Sequence, residues 1–244
     1  MKIYWGITAS RGYGRTIPHD EPVMLSAGGL WNGSGFRNKT MYWGDWVLDC
    51  GGFIALNKWG DFPFTTDQYL ELIEQRKPSW AASMDYPCEP SISKGTKLTV
   101  NERIAATVEY AEYLCRKSDL IVPVLQGYEL AEYEQCWRLL SSKVDVKRLA
   151  LGSVCQRQST KDIATLCWGL MQFLPPIPVH GFGVKFRALR WPECWAFFSS
   201  IDTDSWEYHA RRKHLKDAEA WAIYDDMFKE IATAPRQLLL AKQT

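Results

Sequence analysis

The sequence predicts an α/β fold, a TIM-type (β/α)8 barrel of irregular form, from three observations. Short apolar runs alternate with longer amphipathic segments, the pattern of βαβ units around a parallel sheet. About seven such runs are present, close to the eight strands of a barrel. The length, 244 residues, suits one barrel without a second domain, so 1–244 is expected to form a single unit.

The strands follow in order as Pro22 to Ala27 (PVMLSA), Trp46 to Cys50 (WVLDC) and Trp80 to Asp85 (WAASMD). Leu120 to Gly127, Arg148 to Ser153, Ile177 to Gly183 and Trp195 to Asp202 complete the set. Helices are expected over TTDQYLELIEQR, VNERIAATVEYAEYLCRK, ELAEYEQCWRLLSS and STKDIATLCWGLMQFL, with a last one over LKDAEAWAIYDDMFKEI. TTDQ and STKD place a hydroxyl residue before each helix with a hydrogen-bonding side chain three residues on, the form of an N-terminal capping box.

Composition removes several function classes. A formal net charge of +1 argues against a broadly basic nucleic-acid coat, while leaving room for a local patch. No apolar run is long enough for a membrane span, and from the first residues no signal peptide is expected. The seven cysteines are odd in number and form no Cys-x-x-Cys pair, which fits free thiols in a reducing cytoplasm. Twelve tryptophans favour a core role for most indoles, although an indole can also stack on a base.

Most of the strands end in a polar or glycine-rich mark: Asp49-Cys-Gly-Gly, Asp85-Tyr-Pro, Gln126-Gly, Gly152-Ser, Gly181-Phe-Gly and Asp202-Thr-Asp-Ser. In a β/α barrel these ends share one face, the face that carries active sites. Each acid taken alone reads as a helix cap. Taken together they place carboxylates from three strands and an amide from a fourth around one pocket. Such a group suits glycosidic bond exchange: one carboxylate attacks the sugar C1′ and another moves protons. A further Asp and a Gln suit the N–H and carbonyl edge of a guanine-like base.

The motifs themselves resemble those of the tRNA-guanine transglycosylase superfamily. VLDCGGFIAL (47–56) is similar to its Asp-Ser-Gly-Gly-Phe motif and MDYPCEP (84–90) to its Asp-x-x-x-x-Pro segment. VPVLQGYELAEYEQC resembles its Gln-Gly strand end, and LALGS its Gly-Gly turn with Ser153 at the second glycine. VHGFGV resembles its Met-Gly-Val-Gly turn, and SIDTDSW falls at its nucleophile. The resemblance implies Asp202 as nucleophile and Asp49 as general acid/base. It implies base recognition by Asp85, Gln126, Gly152 and Ser153, with Gly51 and Gly52 giving close backbone approach. Phe53 would stack on one base face and His180 would cover the other.

The chain departs from the tRNA enzymes. Its last cysteine, Cys194, precedes Asp202, so their structural zinc site after the nucleophile has no counterpart and no cofactor is expected. The segment after Asp202 is short and holds nothing like an added RNA-binding domain. The Asp-Thr-x-Ser-Trp sequence from Asp202 to Trp206 is more similar to that of the DpdA-type 7-deazaguanine DNA transglycosylases of phages and bacterial modification systems. That resemblance implies replacement of guanine in DNA by preQ0 or a related free 7-deazaguanine, on an extruded or single-stranded target. A zinc-free enzyme acting on tRNA and a non-catalytic barrel binding a purine or nucleic acid are the alternatives.

Phosphate contacts are expected from HARRKH (209–214), with Arg211, Arg212 and Lys213, and from VKFRALR (184–190), with Lys185 and Arg187. Within SSIDTDSW, Asp204 and Ser205 are expected to shape the turn and Trp206 to wall the pocket.

Overall fold

The computed structural model describes residues 1–7, 17, 20–37, 44–94, 96–157, 159–205, 212–214, 216, 219 and 221–231. Its strands are β1 (Lys2–Ile7), β2 (Val23–Ser26), β3 (Trp46–Asp49), β4 (Ala81–Ala82), β5 (Ile121–Val122), β6 (Val124–Leu125), β7 (Leu149–Leu151), β8 (Val179–Gly181) and β9 (Ser200–Thr203). The pairings between these strands are parallel, in the order β5-β4-β3-β2-β1-β9-β8-β7-β6. The two ends of this order, β5 and β6, are consecutive in the chain, separated by Pro123 alone. They are halves of one strand, so the nine segments occupy eight positions of a barrel. Proline has no N–H to give a ladder. The Pro123 carbonyl instead accepts from Ala150 N–H at 2.9 Å, and Val124 N–H turns to the Ser83 hydroxyl at 3.1 Å.

The helices are α1 (Ala27–Leu30), α2 (Gly52–Trp59), α3 (Thr66–Arg76), α4 (Val100–Cys115), α5 (Leu130–Ser141), α6 (Thr160–Leu170) and α7 (Pro192–Phe197), followed by a helical stretch over 221–231. The capping boxes expected at Thr65/Gln68 and Ser159/Asp162 are present, and Thr99/Glu102 adds another. Each satisfies N–H groups that the first helical turn leaves open.

Two expectations need revising. Trp195 to Phe198 is not strand: Pro192 starts helix α7, and β9 begins only at Ser200. Proline at the first helical position is preset for the helix and lacks only an N–H that would be unpaired there anyway. In addition, Lys2–Ile7 forms a strand between β2 and β9, although its Lys, Tyr and Trp do not make a continuous apolar run.

Strand periodicity sorts the core into two shells. Ile3, Trp5, Val23, Leu25, Leu48, Leu149, Leu151 and Ile201 point outward into the layer beneath the helices. Tyr4, Met24, Val47, Trp80, Ala82, Val122, Val124 and Ala150 fill the barrel interior. Side chains alternate along a strand, so the residue two positions after an interior one faces inward again, one layer higher. From Tyr4, Met24, Val47, Val124 and Ala150 that arithmetic selects Gly6, Ser26, Asp49, Gln126 and Gly152, which all line the cavity at the strand C-termini; it fails after Ala82, where β4 ends and Met84 packs in the outer layer.

Candidate functional site

The cavity holds about 350 Å³, the lower end of the range for small-ligand sites. Asp49, Phe53, Asp85, Glu89, Gln126, Ser153, Phe182 and Asp202 line it. They come from the ends of β3, β4, β6, β7, β8 and β9 and from the loops that follow.

One wall is a continuous polar chain. The Cys50 thiol donates to Asp85 Oδ1 at 2.9 Å, and Gln126 Nε2 donates to Asp85 Oδ2. Gln126 Oε1 lies 2.5 Å from the Ser153 hydroxyl, which is 3.0 Å from Glu89 Oε2 and accepts from Cys88 N–H at 2.7 Å. Cys155 Sγ reaches Glu89 Oε1 at 3.3 Å. Asp85, Glu89, Gln126 and Ser153 are all buried. Two backbone features admit this packing. A Cβ on Gly152 would sit 2.1 Å from Gln126 Nε2, so only glycine leaves room for the amide. Ser153 takes a left-handed φ of 56°, a conformation that favours glycine and that here is held by the hydrogen bonds of its own side chain.

The opposite side carries two further carboxylates. Asp49 closes β3, and its Oδ2 accepts Gly51 N–H at 3.0 Å. Burial, then the neighbouring Asp85 and Asp202 charges, push its pKa up to about 7, with Gly51 and Ser26 pulling the other way. Burial also lifts Asp85 to about 6, against its bonds from Cys50 and Gln126. Asp202 Oδ1 accepts Gly183 N–H at 2.8 Å and lies 3.3 Å from His180 Nε2.

His180 does not lie over the cavity. Its ring is wholly buried among Tyr4, Trp80 and Phe182, one layer below the pocket, where its strand parity puts it. Nδ1 is 2.9 Å from the Ser200 hydroxyl. Burial lowers the imidazole pKa and keeps the ring neutral. The tautomer that satisfies both neighbours accepts from Ser200 and presents Nε2–H to Asp202. This Ser-His-Asp order is the reverse of a hydrolytic triad: the serine is buried and the aspartate faces the cavity. The aromatic wall on this side is Phe182, with Phe53 on the first turn of α2.

Other candidate residues fall as follows. Gly52 lines the cavity, while Gly51 stands behind it at φ 80°, capping α2 and fixing Asp49. Asp204 also lines the cavity, and Ser205 shapes the turn, its N–H donating to Thr203 Oγ1 and its hydroxyl oxygen accepting from Thr203. Lys185 points inward and donates to the Arg157 carbonyl. Arg187, Arg212 and Lys213 are exposed. Arg211 and Trp206 lie outside the described residues. Glu89 and Phe182 were not singled out from sequence. Glu89 lies between Pro87 and Pro90 in a loop with no periodicity to mark it, whereas the parity of β8, extended by one step, points to Phe182.

Asp49, Cys50 and Asp85 bring their ligand atoms within 4.8 Å of one another. Burial and the neighbouring Asp85 and Asp49 push the Cys50 pKa far up, and its thiol donates to Asp85.

The family model for DpdA, DeoxyPurine in DNA protein A, matches residues 38–222. The chain belongs to the DpdA family. This is a transglycosylase family, and the matched span of this DpdA member runs from before β3 to beyond β9, taking in every cavity carboxylate. Comparison with curated proteins gives no match. Among the described residues, no helix is long and apolar enough to cross a membrane.

Proposed function

We propose that the protein exchanges guanine in DNA for a 7-deazaguanine, preQ0 or a derivative, through a covalent bond between Asp202 and C1′. The observation that carries this reading is the placing of Asp202 and Asp49 in one cavity with the Asp85–Gln126 wall. Asp202 attacks C1′ as the C1′–N9 bond breaks. The bonding pair passes to N9 of guanine, which takes a proton from Asp49. The incoming base then gives its N9 proton to Asp49, and N9 attacks C1′ to release Asp202. Two displacements return the original configuration. A carboxyl with a pKa of about 7 can give and take that proton near neutral pH.

Asp85 accepts from the N1–H and 2-amino groups of the base, and Gln126 addresses O6. His180 and Gly183 orient Asp202 by hydrogen bonds to Oδ1. A base can reach such a cavity only outside the helical stack, so the target guanine is extruded or in a single strand. Arg187, Arg212 and Lys213 supply phosphate contacts.

Nucleoside mass spectrometry of DNA and tRNA, after incubation with the protein and a 7-deazaguanine, tests the reading. A modified deoxynucleoside is expected. Modification of tRNA alone would transfer the activity to RNA, and modification of neither, with no Asp202 adduct, would leave a binding barrel.

A further inference from the structure

Glu89 has no part in the displacement chemistry, yet it is a buried carboxylate in the wall of the cavity. We infer that it selects among the 7-deazaguanines by the substituent at position 7, favouring a derivative that carries an N–H donor over the 7-cyano base preQ0 itself. The inference rests on the proposed base exchange.

The order of groups along the wall carries the argument. From one end it runs Asp85, Gln126, Ser153, Glu89, each linked to the next. The edge of a guanine-type base runs 2-amino, N1–H, O6, then position 7. With the N–H groups on Asp85 and O6 at Gln126, position 7 comes opposite Ser153 and Glu89. N9 then lies on the far side of the base, toward Asp49 and Asp202, where the chemistry requires it.

Glu89 offers only acceptor oxygens in its ionised form. The Ser153 hydroxyl and the Cys155 thiol, the latter at 3.3 Å, lie against its two oxygens and leave lone pairs free on both. Guanine presents the N7 lone pair there, acceptor against acceptor. A 7-deaza base removes that lone pair. A nitrile at position 7 brings an acceptor back, whereas an aminomethyl, amidine or carboxamide group brings a donor to the lone pairs that Ser153 and Cys155 leave open. A buried acceptor set against another acceptor is a strong basis for discrimination. The same contact favours the incoming base over the outgoing guanine.

The test is calorimetric titration of the full chain with 7-aminomethyl-7-deazaguanine, 7-cyano-7-deazaguanine and guanine, with each base then offered as acceptor in exchange on DNA. The aminomethyl base is expected to bind at least about tenfold more tightly than the cyano base, with guanine weakest. In Glu89→Gln, with the fold checked by circular dichroism, the ratio should fall to about threefold or less. Equal or tighter binding of the cyano base by the wild-type chain overturns the inference, whether or not the variant folds. A ratio unchanged in a folded Glu89→Gln also overturns it. Selective binding with no base entering DNA would defeat the base-exchange reading and spare Glu89. Exchange without selectivity would do the reverse.

Discussion

The two ends of the barrel treat charge in opposite ways. At the strand starts, a hollow is lined by Trp80, Glu112, Arg116, Lys143 and Arg148. There Glu112 pairs with Lys143 at 2.8 Å and with Arg116 at 2.5 Å, and Arg148 lies over the Trp80 ring at 5.2 Å. The pairing with Lys143, then Arg116, lowers the Glu112 pKa. At the strand ends, Asp49, Asp85, Glu89 and Asp202 crowd one cavity. Among the described residues, Asp49, Asp85 and Glu89 have no lysine or arginine ion pair, and their neighbours are thiols, amides and hydroxyls. Opposite charges in water make a quiet surface. Like charges out of water raise one another's pKa and hold proton affinity near neutrality, which an acid/base requires.

The sharpest way to break this contrast is to remove the nucleophile. Asp202→Ala should lower exchange by about 10⁴-fold or more and abolish the trapped DNA adduct, read on a denaturing gel. Asp204→Ala should cost much less, and equal losses in two folded variants would undo the assignment. Asp49→Asn should reduce exchange by about 10²- to 10⁴-fold.

The same Asp49 substitution should make the protein more stable at pH 7. The carboxyl titrates at 3.8 when unfolded and at about 7 when folded. Between these values the folded state binds more protons, so the Asp49 contribution is fully present below pH 4 and is lost as pH rises toward 7. Asp85 acts in the same direction up to about pH 6. Asp49→Asn should flatten this decline and raise the melting temperature at pH 7 by roughly 2–4 °C for each kcal/mol recovered. A steeper decline in the variant would show that the sign is wrong.

His180→Asn tests whether the buried imidazole orients Asp202. The expected result is a kcat lower by about 10- to 100-fold, with KM for the base little changed. A role confined to packing would instead lower the melting temperature and leave kcat per folded molecule intact. Neutralising Arg212 and Lys213 together should reduce the slope of log K against log salt by about 1 to 2 units, read in DNA-binding titrations. At the quiet end, Glu112→Ala should leave exchange unchanged and shift stability by less than about 1 kcal/mol. A loss of activity there would mean that the two ends are coupled.

Much of the upper face was legible from sequence because strand parity carries it. Asp49, Gln126, Gly152 and Asp202 each stand two residues beyond an inward-facing position, so the motif and the geometry agree. Parity also explains the failure at His180, which is itself the interior residue and cannot face the cavity. Where regular structure stops, the signal stops. Asp85 lies three residues past a strand of two residues, and only its motif marks it. Glu89 follows in an irregular loop, where a single acid has no pattern to set it apart. The apolar run from Trp195 to Phe198 read as strand because a short buried helix and a buried strand have the same composition, with Pro192 the one local sign of the difference.

Ser153 has a consequence that comes down to counting. Its hydroxyl oxygen stands within reach of Gln126 Oε1 and of Glu89 Oε2, and it owns a single hydrogen. Whichever oxygen receives that hydrogen, the other is left to the ligand. The two halves of the wall are therefore not independent readers: what the base offers at O6 and what it offers at position 7 are settled by one vote between them. A Ser153→Ala chain would lose that link, and the two recognitions would become separate preferences that simply add.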